Sequence, residues 1–115
     1  MQLTEHFTLE EMLRSDTATK KGIENRINAE EVNNLPRLCQ KVLEPLRAHF
    51  GKPIRINSGF RCKALNDAVG GAKNSNHTKG RAADIPNVPG YLAYIRDHLP
   101  HTELINEGSW IHVAL

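Results

Sequence analysis

Apolar positions recur first at helical spacing and later at alternate positions, and the change of period outlines the fold. Val32, Leu35, Leu38, Cys39, Val42, Leu43, Leu46 and Phe50 follow at intervals that predict the longest amphipathic helix of the chain. Asn28, with Glu31 three residues on, forms a capping box at its start, and Gly51 suits its C-terminal cap. Pro36 and Pro45 each remove a helix hydrogen bond, so a kink or break is expected there. A shorter helix opens at Thr8-Leu9-Glu10-Glu11-Met12-Leu13, with Thr8 and Glu11 as its capping box and Phe7 placed to pack on Met12. The polar run from Ser15 to Asn25 predicts a loop.

Beyond Gly51 the pattern shortens. Ile54-Arg55-Ile56-Asn57-Ser58 alternates and reads as a strand with one buried face. Ala64 to Val69 predicts a short helix ended by Gly70-Gly71, and Ala82-Ala83-Asp84-Ile85 a short buried strand. After the loop of Pro86, Pro89 and Gly90, Tyr91, Leu92, Ile95 and Leu99 return to helical spacing, closed by Pro100. Glu103–Glu107 and Trp110–Leu115 read as two strands joined by Gly108-Ser109, a two-residue turn with glycine first, which is a type II′ hairpin signal. Together these elements predict an α+β fold, helices packed on a small, mostly antiparallel sheet. With 115 residues and no internal repeat, residues 1–115 are expected to form a single domain with a modest core.

Composition narrows the function classes. A net charge of +2 with no clustered basic run gives no case for nucleic acid. No apolar run approaches membrane-spanning length, so no membrane insertion is expected. Met1-Gln2-Leu3-Thr4-Glu5-His6-Phe7 lacks the basic and apolar regions of a signal peptide, which predicts a chain made in the cytoplasm. Cys39 falls on the apolar face of the long helix, and Cys62 has no Cys-x-x-Cys partner, so neither is expected to ligate a metal.

The chemistry lies between Ser75 and Asp84. His77 in a loop and Asp84 on the following strand offer two ligands to a divalent metal, and His112 in Trp110-Ile111-His112-Val113-Ala114 offers a third. Zinc held by three protein ligands keeps one position open when it is catalytic. A His-Asp-His set also accommodates manganese, iron or cobalt. His6, His49, His98 and His101 have no such partners and read as surface or satisfied-core residues. If Gly108 and Ser109 are the turn, Glu107 opposes Trp110 and is a diagonal neighbour of His112, roughly 7–8 Å away between α-carbons. That places a carboxylate where it can act as general base on water at the metal. Arg61 carries a planar fork suited to a substrate carboxylate or an oxyanion, or to a structural ion pair. Ser75 can cap the turn after it.

Three blocks together carry a resemblance: Ser75-x-His77-x-x-Gly80-x-Ala82-x-Asp84, then Trp110-Ile111-His112-Val113, with Ile54-Arg55-Ile56-Asn57-Ser58-Gly59-Phe60-Arg61 upstream. The chain resembles the M15 zinc peptidases, which include D-Ala-D-Ala carboxypeptidases and phage or prophage endolysins. The resemblance implies a D-Ala-D-Ala-peptidase-like (hedgehog-like) fold, one zinc ion, and hydrolysis of a peptide bond in bacterial peptidoglycan by a monomer. It implies His77, Asp84 and His112 as zinc ligands and supports Glu107 as the catalytic acidic residue. It sets Arg61, whose chemistry suits a catalytic or substrate-binding role, and Ser75 along the substrate. Trp110 is expected either to pack against the substrate site or simply to anchor the hairpin. Several branches of the family place the acid three residues before the last histidine, where this chain has Ser109. A lysis enzyme of this kind would reach the wall through holin-type pores. Two alternatives accompany this reading: a cytoplasmic D,D-dipeptidase, and a zinc-containing wall-binding domain that does not cut.

Overall fold

Two capping boxes start the helical layer as expected. In the computed structural model, which describes residues 1–115, the Glu11 amide donates to the Thr8 hydroxyl and the Thr8 amide to the Glu11 carboxylate, opening α1 (Leu9–Leu13). Phe7 and Met12 are both buried beside it. The segment expected to be a loop contains a second helix, α2 (Asp16–Lys21), whose Ala18 amide donates to the Ser15 hydroxyl at 3.1 Å. Ala18 is its one buried side chain, so no apolar periodicity marks it.

Helix α3 (Ala29–Leu38) starts at the Asn28–Glu31 box and runs through a five-residue π-turn, Cys39–Leu43, into α4 (Glu44–Phe50). Of the kink or break expected at Pro45, the chain shows no break but a local change of helix type. Pro45 has no N–H for the Lys41 carbonyl, and its ring would crowd that oxygen. The backbone widens by one residue instead, the Glu44 amide reaching back to the Cys39 carbonyl, and the helical path continues. Its apolar face buries Leu35, Leu38, Cys39, Val42, Leu43 and Leu46.

Ile54 and Ile56 are buried as the alternation predicts, but the segment forms no regular strand. A single bridge joins Ser58 to Asp84, with Asp84 N–H donating to the Ser58 carbonyl at 2.8 Å. The chain then turns away, because the Phe60 amide donates to the Met12 carbonyl at 2.8 Å. Gly59 makes this crossing feasible: a Cβ there would lie 2.7 Å from the Met12 carbonyl oxygen. Helix α5 (Lys63–Ala68) follows near its expected position.

The sheet has the order β1 (Ala82–Pro86), β3 (Trp110–Ala114), β2 (Glu103–Asn106), all antiparallel, with α6 (Tyr91–His98) between β1 and β2 in sequence. The expected hairpin register holds, since Ile105 pairs with His112 and the Glu107 amide donates to the Trp110 carbonyl at 3.0 Å. Ala83, Ile85, Ile111 and Val113 face the helices and complete one core with α1, α3, α4 and α6. The opposite face of β1 and β3 carries Asp84 and His112. No helix is long and apolar enough to cross a membrane.

Candidate metal centre

His77 is set by its own short turn. Its amide donates to the Ser75 hydroxyl at 3.1 Å and the Thr78 hydroxyl donates to the Ser75 carbonyl at 2.6 Å, folding Asn76–Lys79 into one 3-10 turn. Gly80 closes it at φ +72°, where a Cβ would collide with the Glu31 carbonyl, so glycine lets the turn seat against α3. Asn34 of α3 adds a hydrogen bond to the Lys79 carbonyl at 2.8 Å. The His77 ring is thereby buried, with Nδ1 at 2.6 Å from the Gly59 carbonyl and Nε2 at 3.1 Å from Asp84 Oδ1.

Asp84 and His112 are direct cross-strand partners on β1 and β3. His112 Nδ1 lies 3.1 Å from the same Asp84 Oδ1, and its Nε2 lies 2.8 Å from Glu103 Oε1. Every one of these partners is an acceptor, so a metal taking His77 Nε2 and His112 Nδ1 would leave the ring protons on His77 Nδ1, toward the Gly59 carbonyl, and on His112 Nε2, toward Glu103. In that state each ring turns a lone pair toward the region of Asp84 Oδ1. Ligand atoms of the three residues lie within 4.8 Å of one another. Three acceptors aimed at one region repel unless a cation sits among them.

Protons take that place when no metal does. His112 is held above the ordinary histidine value of 6.5, chiefly by its hydrogen bond to Asp84, against burial. Burial alone would raise Asp84, but the rings of His112 and His77 outweigh it and bring the carboxyl down to about 2. Glu103 is also lowered, by its hydrogen bonds with His112 and then Asn76. The donor set, two imidazoles and one carboxylate, fits zinc with a fourth position left open.

All the residues singled out from the sequence line one cleft of about 350 Å³, but they are held differently. Arg61 is half-buried and makes no ion pair; its Nε is buried without a partner, and burial lowers its pKa against the pull of Asp84. The structural ion-pair alternative therefore has no carboxylate within ion-pair distance, only the longer-range pull of Asp84. The Arg61 amide donates to the His77 carbonyl at 3.1 Å. Ser75 acts as the cap described above. Trp110 is 37% exposed at the rim, opposite Pro86 and next to Glu107 across the turn. Glu107 is exposed, and its carboxylate has no hydrogen-bond partner in the protein.

Two positioning groups escaped the sequence reading. Asn25, at the end of the polar run predicted as a loop, donates to the Leu13 and Phe60 carbonyls (3.0 and 2.9 Å) and accepts from the Cys62 amide (2.7 Å), clamping the backbone on both sides of Arg61. Glu103 is the other diagonal neighbour of His112, and the register that placed Glu107 places it equally. Cys62 Sγ only approaches the Glu24 carbonyl at 3.7 Å, and the buried Cys39 thiol is pushed up to about 12, chiefly by burial. A larger hollow of about 570 Å³ beside Thr4 and Glu44 contains no ligand cluster, and its His6 and Glu44 are already paired at 2.7 Å.

The fold and these lone pairs define the class: an α+β protein built around a candidate single-metal centre. The chain belongs to the peptidase M15 family, whose family model, described as Peptidase M15, matches residues 5–114. It is similar to the zinc D-Ala-D-Ala carboxypeptidase of Streptomyces albus G, with 40% identity over an alignment of 70 residues that covers 57% of this chain and 28% of that protein. The chain thus spans well under two thirds of that relative's length.

Proposed function

We propose that the chain is a zinc peptidase that cuts the peptide of bacterial peptidoglycan. The observation that carries this reading is the convergence of His77 Nε2, His112 Nδ1 and Asp84 Oδ1 in a cleft that also holds a partnerless guanidinium and a free carboxylate. Bound by these three residues, zinc supplies Lewis acidity toward a peptide carbonyl and lowers the pKa of water to about 7. Glu107 takes a proton from the attacking water and returns it to the leaving amine. Arg61 holds a carboxylate of the substrate through two parallel N–H bonds, and the part-buried clamp on its backbone helps to keep the fork in place. Trp110 forms an apolar wall for the residue next to the cut, and Ser75 acts through His77.

Arg61 is the one lysine or arginine lining the cleft, which favours a substrate with a free terminal carboxylate and hence removal of a C-terminal residue. Similarity to a carboxypeptidase of that specificity supports D-alanine as the residue released. The test compares purified peptidoglycan, a peptide ending in D-Ala-D-Ala, its C-terminal amide and free D-Ala-D-Ala. Release of D-alanine from the acid but not the amide, abolished by chelator and restored by zinc, is expected. Cleavage of the amide at equal rate would point to internal cutting, and zinc binding without hydrolysis of any substrate would leave a wall-binding domain. Glu107→Ala is expected to lower hydrolysis by at least ~10²-fold while zinc content stays at one equivalent.

A further inference from the structure

We infer that Glu103 is a positioning residue of this centre: its carboxylate locks the His112 ring so that Nδ1, and not Nε2, is presented to the metal. An imidazole offers either nitrogen, and the choice is made by whatever holds the other one. For His77 a backbone carbonyl does this, Gly59 O at 2.6 Å from Nδ1. For His112 it is a side chain, Glu103 Oε1 at 2.8 Å from Nε2.

Glu103 is itself held. Asn76 Nδ2 donates to the same Oε1 at 2.9 Å, and Asn76 immediately precedes His77 in the 3-10 turn. One carboxylate oxygen therefore ties edge strand β2 to the turn bearing one ligand and to the ring of another. The pairing Ile105–His112 puts Glu103 on the metal-bearing face, one alternation from His112. Glu107 lies on the other side of Ile105, about 13 Å further along the strand. The two acids thus divide the work. Glu103 is occupied by two donors and orients, while Glu107 has none and is free to move a proton.

This inference rests on His77, Asp84 and His112 being the metal ligands, so the experiment separates the two ideas. Zinc dissociation constants are measured by competition with a chromophoric chelator for the parent protein and for Glu103→Ala, Glu103→Gln and His77→Ala. The His112 tautomer is read in the metal-free protein from long-range nitrogen–proton NMR at alkaline pH, where the ring carries a single proton. Glu103 is 43% exposed on an edge strand, so both variants are expected to keep the parent's circular dichroism. Glu103→Ala should weaken zinc binding by about 10–100-fold and mix the two His112 tautomers. Glu103→Gln retains an oxygen that accepts the Nε2 proton and should recover most of the affinity and the single tautomer. Affinity within twofold of the parent for Glu103→Ala, with an unchanged tautomer, overturns the inference alone. So does a variant that keeps full affinity but loses hydrolysis as Glu107→Ala does, because Glu103 would then be the base. Parent-like zinc binding by His77→Ala would remove the ligand assignment and this inference with it.

Discussion

At the scale of single residues, the centre is a set of acceptors that a cation must satisfy, and protons and metal compete for the same lone pairs. A ring protonated at Nδ1 cannot ligate through that atom. Because Asp84 holds His112 protonated above the ordinary 6.5, metal must displace that proton over a wider pH range than at an isolated histidine. The sign follows directly: apparent zinc affinity is expected to fall as pH is lowered, starting above pH 6.5, with protons released on binding. Chelator competition between pH 5.5 and 8 reads the affinity, and titration calorimetry in two buffers of different ionisation enthalpy reads the protons. Affinity that stays flat down to pH 6 would contradict this account of His112. Much of the residue scale was legible in the sequence, because His77, Asp84 and His112 are short-range neighbours of glycine, alanine and tryptophan in a recognisable order. Glu103 was not, although the hairpin register contained it. A diagonal neighbour exists on each side of His112, and the pattern of residues around the turn marks only Glu107, the one nearer to it.

At the scale of elements, the site depends on two crossings that carry no chemistry of their own. Where Gly59 passes Met12, the Phe60–Met12 hydrogen bond and the lack of a Cβ set the carbonyl that orients His77. Gly59→Ala should cost about 1–3 kcal/mol of stability through overpacking against backbone. It should also weaken zinc binding, because the Gly59 oxygen moves away from Nδ1. Thermal unfolding and chelator competition on one sample check both, and a change in stability alone would show the carbonyl to be replaceable. Asn25 is the second crossing. Asn25→Ala removes three hydrogen bonds around Arg61, so KM for a carboxylate-ended peptide is expected to rise several-fold with kcat and zinc content little changed. A fall in kcat alone would instead place Arg61 at the oxyanion. Local signals found the helices with strong caps, at Thr8 and Asn28, since a cap is a contact within four residues. They missed α2, which is six residues long with one buried side chain, and they read a strand at Ile54–Ser58 where burial alternates without a ladder. Alternation reports which side is buried; whether a neighbouring strand accepts the hydrogen bonds is decided by the distant Met12. The helical path survived Pro45 because a π-turn absorbed it, an outcome that the missing N–H alone does not decide.

At the scale of the whole molecule, the three candidate ligands come from separate elements that only the folded chain brings together. His77 sits in a turn seated on α3, Asp84 on β1 and His112 on β3, the central strand formed from the last residues of the chain. The unfolded chain has no such arrangement, so zinc binds the folded state almost exclusively and its binding energy adds to stability. Free zinc at 100 times its dissociation constant should add about 2.7 kcal/mol. For a domain of this size that corresponds to an upward shift in Tm of about 10 °C. The same measurement on His112→Ala should show little or no shift, since one ligand and the link to β3 are gone. Scanning calorimetry of chelator-treated protein, with and without added zinc, gives both numbers. A parent Tm that does not respond to zinc would mean that the convergence of lone pairs is relieved by protons alone, and the peptidase reading would lose its physical basis. A shift that persists in His112→Ala would instead place the ion away from β3, where Glu107 could not serve it.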